Sequence, residues 1–398
     1  MGNDPWLTIL GLGEDGPAGL TDASRDALAG AEVVMGPPRH LALLPESGAE
    51  RVAWPVPFAE GVPLLMAMRG RRVVVLASGD PFWFGAGTVL ARHLEPGEWR
   101  ALPGASVFSL AAARLGWGLE GVACLGLHAA PLQRLRPWLT PGWRAIVTLR
   151  DGAAVGDLAR WLTGEGFGDS ALWVMEALGG PRERVRAVTA GAGDLDDVQH
   201  PVAVALEVAG AGATMGRASG RADEWFLNDG QLTKRPVRAL ALSALAPRAG
   251  ELLWDIGAGS GSIGIEWMLA DPACRAIGIE ANPDRAARAR ANAARLGVAL
   301  SIVEARAPEG LADLPLPDAV FVGGGTARAL FEALFARLRP GTRLVAHAVT
   351  LESEALLATL HAEKGGSLLR IELAEAQPLG RLRGWKSAYP VVQWSVTL

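Results

Sequence analysis

The sequence predicts an α/β protein of two domains, and three observations carry that expectation. Short apolar runs alternate with longer helical stretches through the second half; two glycine-rich strand-to-helix turns lie far apart; and a Gly/Ala-rich stretch separates them. At roughly 100–200 residues per domain, a chain of 398 residues accommodates two. Half of the residues are hydrophobic and 20% are charged, the balance of an ordinary globular protein.

In the first half, WLTILGLGEDG reads as a strand running into a turn at Gly11–Gly13, and Thr21 is placed to cap the helix that follows. RVVVLASGDPFWFGAG, residues 72–87, is a strand entering an irregular polar turn beside three aromatic residues. LPGASVFSLAAARLG, 102–116, is another turn leading into a helix, and HPVAVALEV, 200–208, is a closing strand. AGAGATMGRASGRADE follows without apolar periodicity. This linker puts the boundary near 210–216 and the domains at 1–209 and 216–398.

In the second half ELLWDIG, CRAIGIEA, ALSIVEA, DAVFVGG and TRLVAHAV are strands, with crossover helices such as PDRAARARANAARLG between them. That alternation predicts a mostly parallel, doubly wound sheet. The tail breaks the pattern, because SLLRIELAEAQ and YPVVQWSVTL are β-rich with no helix between them. An antiparallel hairpin is expected to finish the sheet.

The segment WDIGAGSGSIGIEW, 254–267, places Gly257, Gly259 and Gly261 after Asp255 in a strand-to-helix turn, with Ile263 and Trp267 on one face of the helix. Such a turn offers free N–H groups at a helix N-terminus and lets a ligand approach the backbone. Ser262 breaks the G-x-G-x-x-G dinucleotide fingerprint. Glu280, ending the next strand, is placed to accept hydrogen bonds from ribose hydroxyls. A tight turn without a ligand, and a solvated or helix-capping Glu280, are the plainer readings that these residues alone leave open.

Composition narrows the partners. Residues 1–209 carry 17 Lys+Arg against 23 Asp+Glu, and residues 210–398 carry 21 against 19, so neither half has the basic excess of a nucleic-acid binder. Cys124 and Cys274 stand in unrelated contexts, and the six histidines are scattered, so no disulfide framework or metal centre is expected. The start MGNDPWLTILGLG lacks a leader pattern and no uncharged apolar run reaches about 18 residues, so a cytoplasmic protein with no membrane span is expected.

The pattern D-x-G-x-G-x-G with an acid ending the second strand resembles the Rossmann-like class I S-adenosylmethionine-dependent methyltransferases. GRADEWFLNDGQLTKRPVRALALSAL, 220–245, is similar to the leader of the family that methylates and decarboxylates precorrins on the route to cobalamin. The matching residues are Asp223, Glu224, Phe226, Thr233, Lys234, Val237, Arg238, Ala239 and Leu240. EARAPEGL at 304–311 and DAVFVGGG at 318–325 match that family's later motifs, so the resemblance covers nearly all of 216–398. The family usually has an acid where Arg306 stands; backbone near Glu304 and Ala305 is therefore expected to meet the adenine. Gly323 belongs to the same set.

In the first half GLG, SGDPFWFG, LPGAS and ALGGPRERV (177–185) together resemble the tetrapyrrole (class III) methylase fold of the precorrin-6Y type, with two α/β subdomains. That resemblance covers about 5–208. It implies a cofactor bordered by Ser78, Gly79, Asp80, Trp83, Ser106, Val107 and Leu149. Gly11 and Gly13 join these cofactor residues in a turn that, with His128, faces the substrate groove.

The two resemblances together imply two S-adenosylmethionine sites per chain and one tetrapyrrole substrate. The reaction implied is methylation at C5 and C15 with loss of carbon dioxide from the C12 acetate, giving precorrin-8. His128 and Lys234 are the catalytic candidates. Only three lysines stand against 35 arginines, so a retained lysine in the matched leader suggests a need for a compact ammonium; Lys364, in HAEKGG, reads as a solvated loop residue. No nucleic acid or membrane partner is expected, and a homo-oligomer is. The alternatives are a C-terminal domain acting on RNA or protein, or one half serving as a non-catalytic scaffold.

Overall fold

The computed structural model describes residues 5–192 and 195–398. The chain divides into two compact units, one of residues 1–132 and 138–213, the other of 133–137 and 214–398.

The first unit contains two five-stranded sheets. The first has β1 (Leu7–Leu12), β2 (Val33–Gly36), β3 (Glu50–Ala53), β4 (Val73–Ser78) and β5 (Trp99–Leu102) in the order β3-β2-β4-β1-β5, every pair parallel. LTILGL is buried along its whole length, as a central parallel strand covered on both faces must be. The helix Asp22–Ala29 begins where expected, with the Thr21 hydroxyl accepting from the Ser24 N–H.

The second sheet has β6 (Val122–Gly126), β7 (Arg144–Leu149), β8 (Ala171–Glu176), β9 (Arg184–Thr189) and β10 (Val202–Glu207) in the order β6-β7-β10-β8-β9. Only β6 and β7 run parallel. The strand that closes this half in sequence is the middle one in space. Its VAVALE side chains are buried because β7 and β8 flank it.

The second unit is one seven-stranded sheet of β11 (Leu252–Ile256), β12 (Arg275–Ile279), β13 (Ser301–Val303), β14 (Ala319–Val322), β15 (Arg343–Ala348), β16 (Ser367–Ile371) and β19 (Val391–Thr397), with the ribbon β17 (Ala374–Leu379)–β18 (Leu382–Ser387) beside it. The order is β13-β12-β11-β14-β15-β19-β16, parallel through β15. β19 then runs antiparallel to both β15 and β16.

The expected terminal hairpin is therefore present, but its connection is itself a two-stranded ribbon. SLLRIELAEAQ breaks after Ile371: its first part pairs with β19 and its second part forms β17. Because β11 and β14 are parallel neighbours, the glycine turns that follow them share one carboxyl edge. Apolar clusters fill both faces, one around Trp267 and Phe321, the other around Trp254 and Trp394.

Candidate functional site

In the second unit the glycine turn joins β11 to the helix Ser262–Ala270. Gly257, Gly259 and Gly261 all have positive φ, 73°, 56° and 76°, which side chains other than glycine adopt at a cost. Their surroundings separate their duties. A Cβ on Gly257 would lie 2.7 Å from the Gly324 backbone, and one on Gly261 would press on Leu300 and Ala289, so both hold the fold closed. A Cβ on Gly259 would find nothing nearer than 3.9 Å. Gly259 is the glycine whose free face looks onto open space, as a cradle for a ligand needs.

Glu280 joins this loop directly. Its Oε2 accepts from the Gly259 N–H at 2.8 Å and its Oε1 from the Asn282 N–H at 2.9 Å. Asp255 works from beneath: it is buried, and its Oδ2 accepts from the Gly264 N–H at 2.9 Å. Burial pushes its carboxyl up to about 7, with the Glu280 charge adding to the shift and the Gly264 bond opposing it.

Gly323 follows β14 and donates to the Ile256 carbonyl, which brings the DAVFVGGG turn against the β11 turn. Glu304 is exposed and paired with Arg290 at 2.6 Å, and the Ala305 N–H turns back on the Val303 carbonyl. Arg306 is exposed. Lys234 is the exposed residue before the helix Arg235–Leu245.

The leader contains a device that motif reading missed. Arg238 is fully buried and donates to Glu266 at 2.6 Å and to Asp223 at 3.1 Å. Glu266 also accepts the Gly220 and Arg221 N–H groups at 2.8 and 2.9 Å. These matched residues pin the leader to the helix Ser262–Ala270. The signal lay in a single acid inside the apolar run IGIEW, because a buried charge requires a partner.

In the first unit three turns converge. A Cβ on Gly11 would lie 1.8 Å from the Gly79 carbonyl oxygen and 2.5 Å from the Gly104 nitrogen. The Gly104 N–H donates to Gly79 O at 3.0 Å, and the Gly79 N–H to Leu12 O at 3.1 Å. The carboxyl edge of β1, β4 and β5 is thus backbone packed on backbone. Gly13 faces the Asp15 carboxylate.

Around that edge Asp80 Oδ1 accepts from the Phe82 N–H at 2.8 Å, shaping the aromatic loop. Trp83 lies against Phe108 with ring centres 5.1 Å apart. Ser106 caps the helix Val107–Leu115 by accepting from the Ser109 N–H. Leu149 is buried at the end of β7. Beside it Thr148 bonds His128 Nδ1 at 2.9 Å, and partial desolvation lowers the His128 pKa. No group of three or more metal-binding side chains occurs among the described residues.

The family model for tetrapyrrole (corrin/porphyrin) methylases matches residues 7–193, and that for the precorrin methyltransferase domain matches 224–398. A precorrin-6Y C(5,15)-methyltransferase (decarboxylating) of Sinorhizobium sp is 52% identical over 99% of this chain and 96% of its own length. One of Mycobacterium tuberculosis is 41% identical over 98% of this chain and 99% of its own. A cobalt-precorrin-6B C(15)-methyltransferase (decarboxylating) of Salmonella typhimurium is 34% identical over 42% of this chain and 91% of its own length. With two relatives matched end to end and both halves fitting methylase models, the chain belongs to the family of precorrin-6Y C5,15-methyltransferases (decarboxylating).

Proposed function

We infer that this chain methylates precorrin-6Y at C5 and C15 and removes the carboxyl of the C12 acetate, giving precorrin-8 in cobalamin biosynthesis. The observation that supports two cofactor sites is the pair of separate glycine turns, one in each unit, each at the carboxyl edge of parallel strands, with the open face of Gly259 marking the one in the second unit. We assign residues 1–209 to the C5 methylation, and 216–398 to the C15 methylation and the decarboxylation. The Salmonella relative supports this assignment, because its name joins those last two activities in a protein matching only 42% of this chain.

S-adenosylmethionine supplies an electrophilic methyl group at each cradle. In the second unit the Gly259 backbone and Glu280 would hold its carboxypropyl and ribose ends, with Glu304–Ala305 and Gly323 bordering the adenine side. In the first unit Gly11, Gly13, Ser78–Asp80, Trp83, Ser106, Val107 and Leu149 would border it. We assign His128 and Lys234 as the groups that meet the substrate. The meso carbons of a reduced tetrapyrrole are enamine-like nucleophiles. The protein's main task is then alignment of carbon, methyl and sulfur, an effect potentially worth several kcal/mol. Decarboxylation sends the electron pair of the breaking C–C bond into the ring once an imine nitrogen is protonated.

An RNA or protein substrate for the second unit is not favoured, since Lys+Arg exceed Asp+Glu there by only two. The deciding experiment incubates the purified chain with precorrin-6Y and methyl-labelled donor and reads the product mass. Two added methyl groups with the loss of one carbon dioxide is the expected result. A product with one methyl from both halves together, or with its carboxyl intact, would overturn the bifunctional reading.

A further inference from the structure

Four polar side chains outside the glycine cradle gather at the same carboxyl edge of the first sheet. Glu14 lies just beyond β1, Arg39 and His40 in the helix Pro38–Leu43 after β2, and Arg182 in the turn after β8. Glu14 is buried, 8% exposed, and both guanidinium groups converge on it: Arg39 Nη1 on Oε1, and Arg182 Nη2 on Oε2 at 2.9 Å. Arg39 Nη2 also donates to His40 Nε2 at 2.8 Å and to Ser78 Oγ at 3.2 Å.

The charge count at this spot does not close. Two arginines share one carboxylate, which leaves one positive charge in excess. Burial and the neighbouring Arg182 pull Arg39 down to about 10, so at neutral pH it stays charged while short of counter-charge. His40 cannot supply more positive charge: burial and the adjacent Arg39 drive it to about 3, so it is neutral, and a neutral imidazole can accept from Arg39 at Nε2. Its sealed Nδ1 makes no hydrogen bond of proper geometry, with only the nearby Leu76 backbone offsetting part of the cost.

Folding alone gives little reason for this arrangement. Burying charges costs several kcal/mol per ion unless the pairing is complete, and packing by apolar side chains would close the same gap. The arginines also retain access: the side chain of Arg39 is 28% exposed and that of Arg182 is 51% exposed. Arg182, held at Nη2 by the buried Glu14 and half exposed, is suited to gripping a carboxylate, while Arg39, whose Nη1 serves Glu14 and whose Nη2 serves His40 and Ser78, adds its positive charge beside it.

We propose that Arg39 and Arg182, held by Glu14 and His40, bind a carboxylate side chain of the tetrapyrrole and so set the reacting carbon over the first unit's glycine cradle. The inference rests on the reading of this unit as the C5 methylase. Arg39 and Arg182 touch substrate; Glu14 and His40 position Arg39. An incoming carboxylate supplies the missing negative charge, and its place beside Ser78 adjoins the turn assigned to the methyl donor.

The test uses the full chain with the intermediate that already carries one methyl and has lost its carboxyl, so that only the C5 step is followed. Arg182→Gln, at a largely exposed position, should fold normally, and Arg39→Gln adds the deeper partner. Each should raise KM for C5 methylation by about tenfold to a hundredfold, and Arg182→Gln, whose side chain bonds Glu14 and not Ser78, should leave donor affinity unchanged. Raising the tetrapyrrole concentration should restore the rate, which loss of donor binding would not allow. Substrate with its acid side chains converted to amides should erase the difference between the wild type and the variants. Unchanged KM in Arg182→Gln and Arg39→Gln, or an equal penalty on the amide substrate, overturns the carboxylate site. If the wild-type chain itself fails to methylate this intermediate, the C5 assignment has failed, and the subsite with it.

Discussion

The two glycine cradles solve one problem by opposite means. In the second unit a single seven-residue stretch, from Asp255 to Gly261, supplies the turn, and three positive-φ glycines bend it around one open face. In the first unit no single stretch suffices. Gly11, Gly79 and Gly104 come from three different strand ends and pack backbone on backbone. A contiguous loop tolerates change at its open position. A junction of three strand ends does not, because each glycine is the floor of another.

Gly11→Val gives the largest expected effect. Its Cβ would lie 1.8 Å from the Gly79 carbonyl oxygen, and backbone on both sides leaves no flexible group to yield. The cost should exceed the ~1–3 kcal/mol typical of overpacking. C5 methylation should disappear and the first unit should melt at a lower temperature, while the second unit keeps its decarboxylated, singly methylated product. By contrast Gly259→Ala meets only the left-handed backbone penalty of roughly 1–2 kcal/mol. Equal destabilisation by the two substitutions, measured by thermal melting of each variant, would erase the distinction drawn between the cradles.

A paired experiment separates the chemistries. Gly259→Val projects a branched side chain into the open face and should abolish methyl transfer in the second unit. Asp80→Ala removes the acceptor that shapes the Phe82 turn and should leave a decarboxylated product with one new methyl. Product mass decides. One methyl with the carboxyl intact from Asp80→Ala would place the decarboxylation in the first unit instead.

Glu280→Gln is a milder change. The amide keeps one acceptor oxygen where the carboxylate served both the Gly259 and Asn282 N–H groups. A charged hydrogen bond contributes about 1.5–3 kcal/mol, so donor affinity at the second cradle should fall about tenfold or more, and the first cradle should be untouched. Calorimetric titration with S-adenosylmethionine would check this; an unchanged isotherm would remove Glu280 from the donor's contacts.

What was legible in the sequence was local. The Thr21 cap, the strand-turn-helix at 252–270 and the alternation through β15 all depend on neighbours within a few residues, and periodicity reports those directly. The ribbon β17–β18 was not legible: its side chains are mostly exposed, so no buried face imposes an alternation, and SLLRIELAEAQ reads as one strand. The Arg238–Glu266 pair joins residues 28 apart, and Glu14 meets Arg182 across 168. Such partners are chosen by the folded topology. The only trace they leave in sequence is a charge in an apolar setting, visible at Glu266 and absent at Glu14, whose neighbours are Gly13 and Asp15.

A pH-dependent effect on stability concerns Asp255, the acid beneath the second cradle. Its carboxyl titrates at about 7 in the folded chain, against an ordinary value of 3.8. Between those limits the folded state holds a proton that the unfolded state has released. Stability must therefore fall as pH rises from about 4 to about 7, and level off above that. Asp255→Asn is neutral throughout, and its amide oxygen can still accept from the Gly264 N–H. The difference in stability between variant and wild type should thus grow in the variant's favour from pH 5 to pH 8. The first cradle has glycine backbone where the second has this acid, so the slope should appear in melting of the second unit and not follow Asp80→Ala in the first. Melting temperatures of the two proteins across that range supply the check. Parallel pH curves would mean that Asp255 is ionised in the fold, and that the Gly264 N–H outweighs burial beneath the turn.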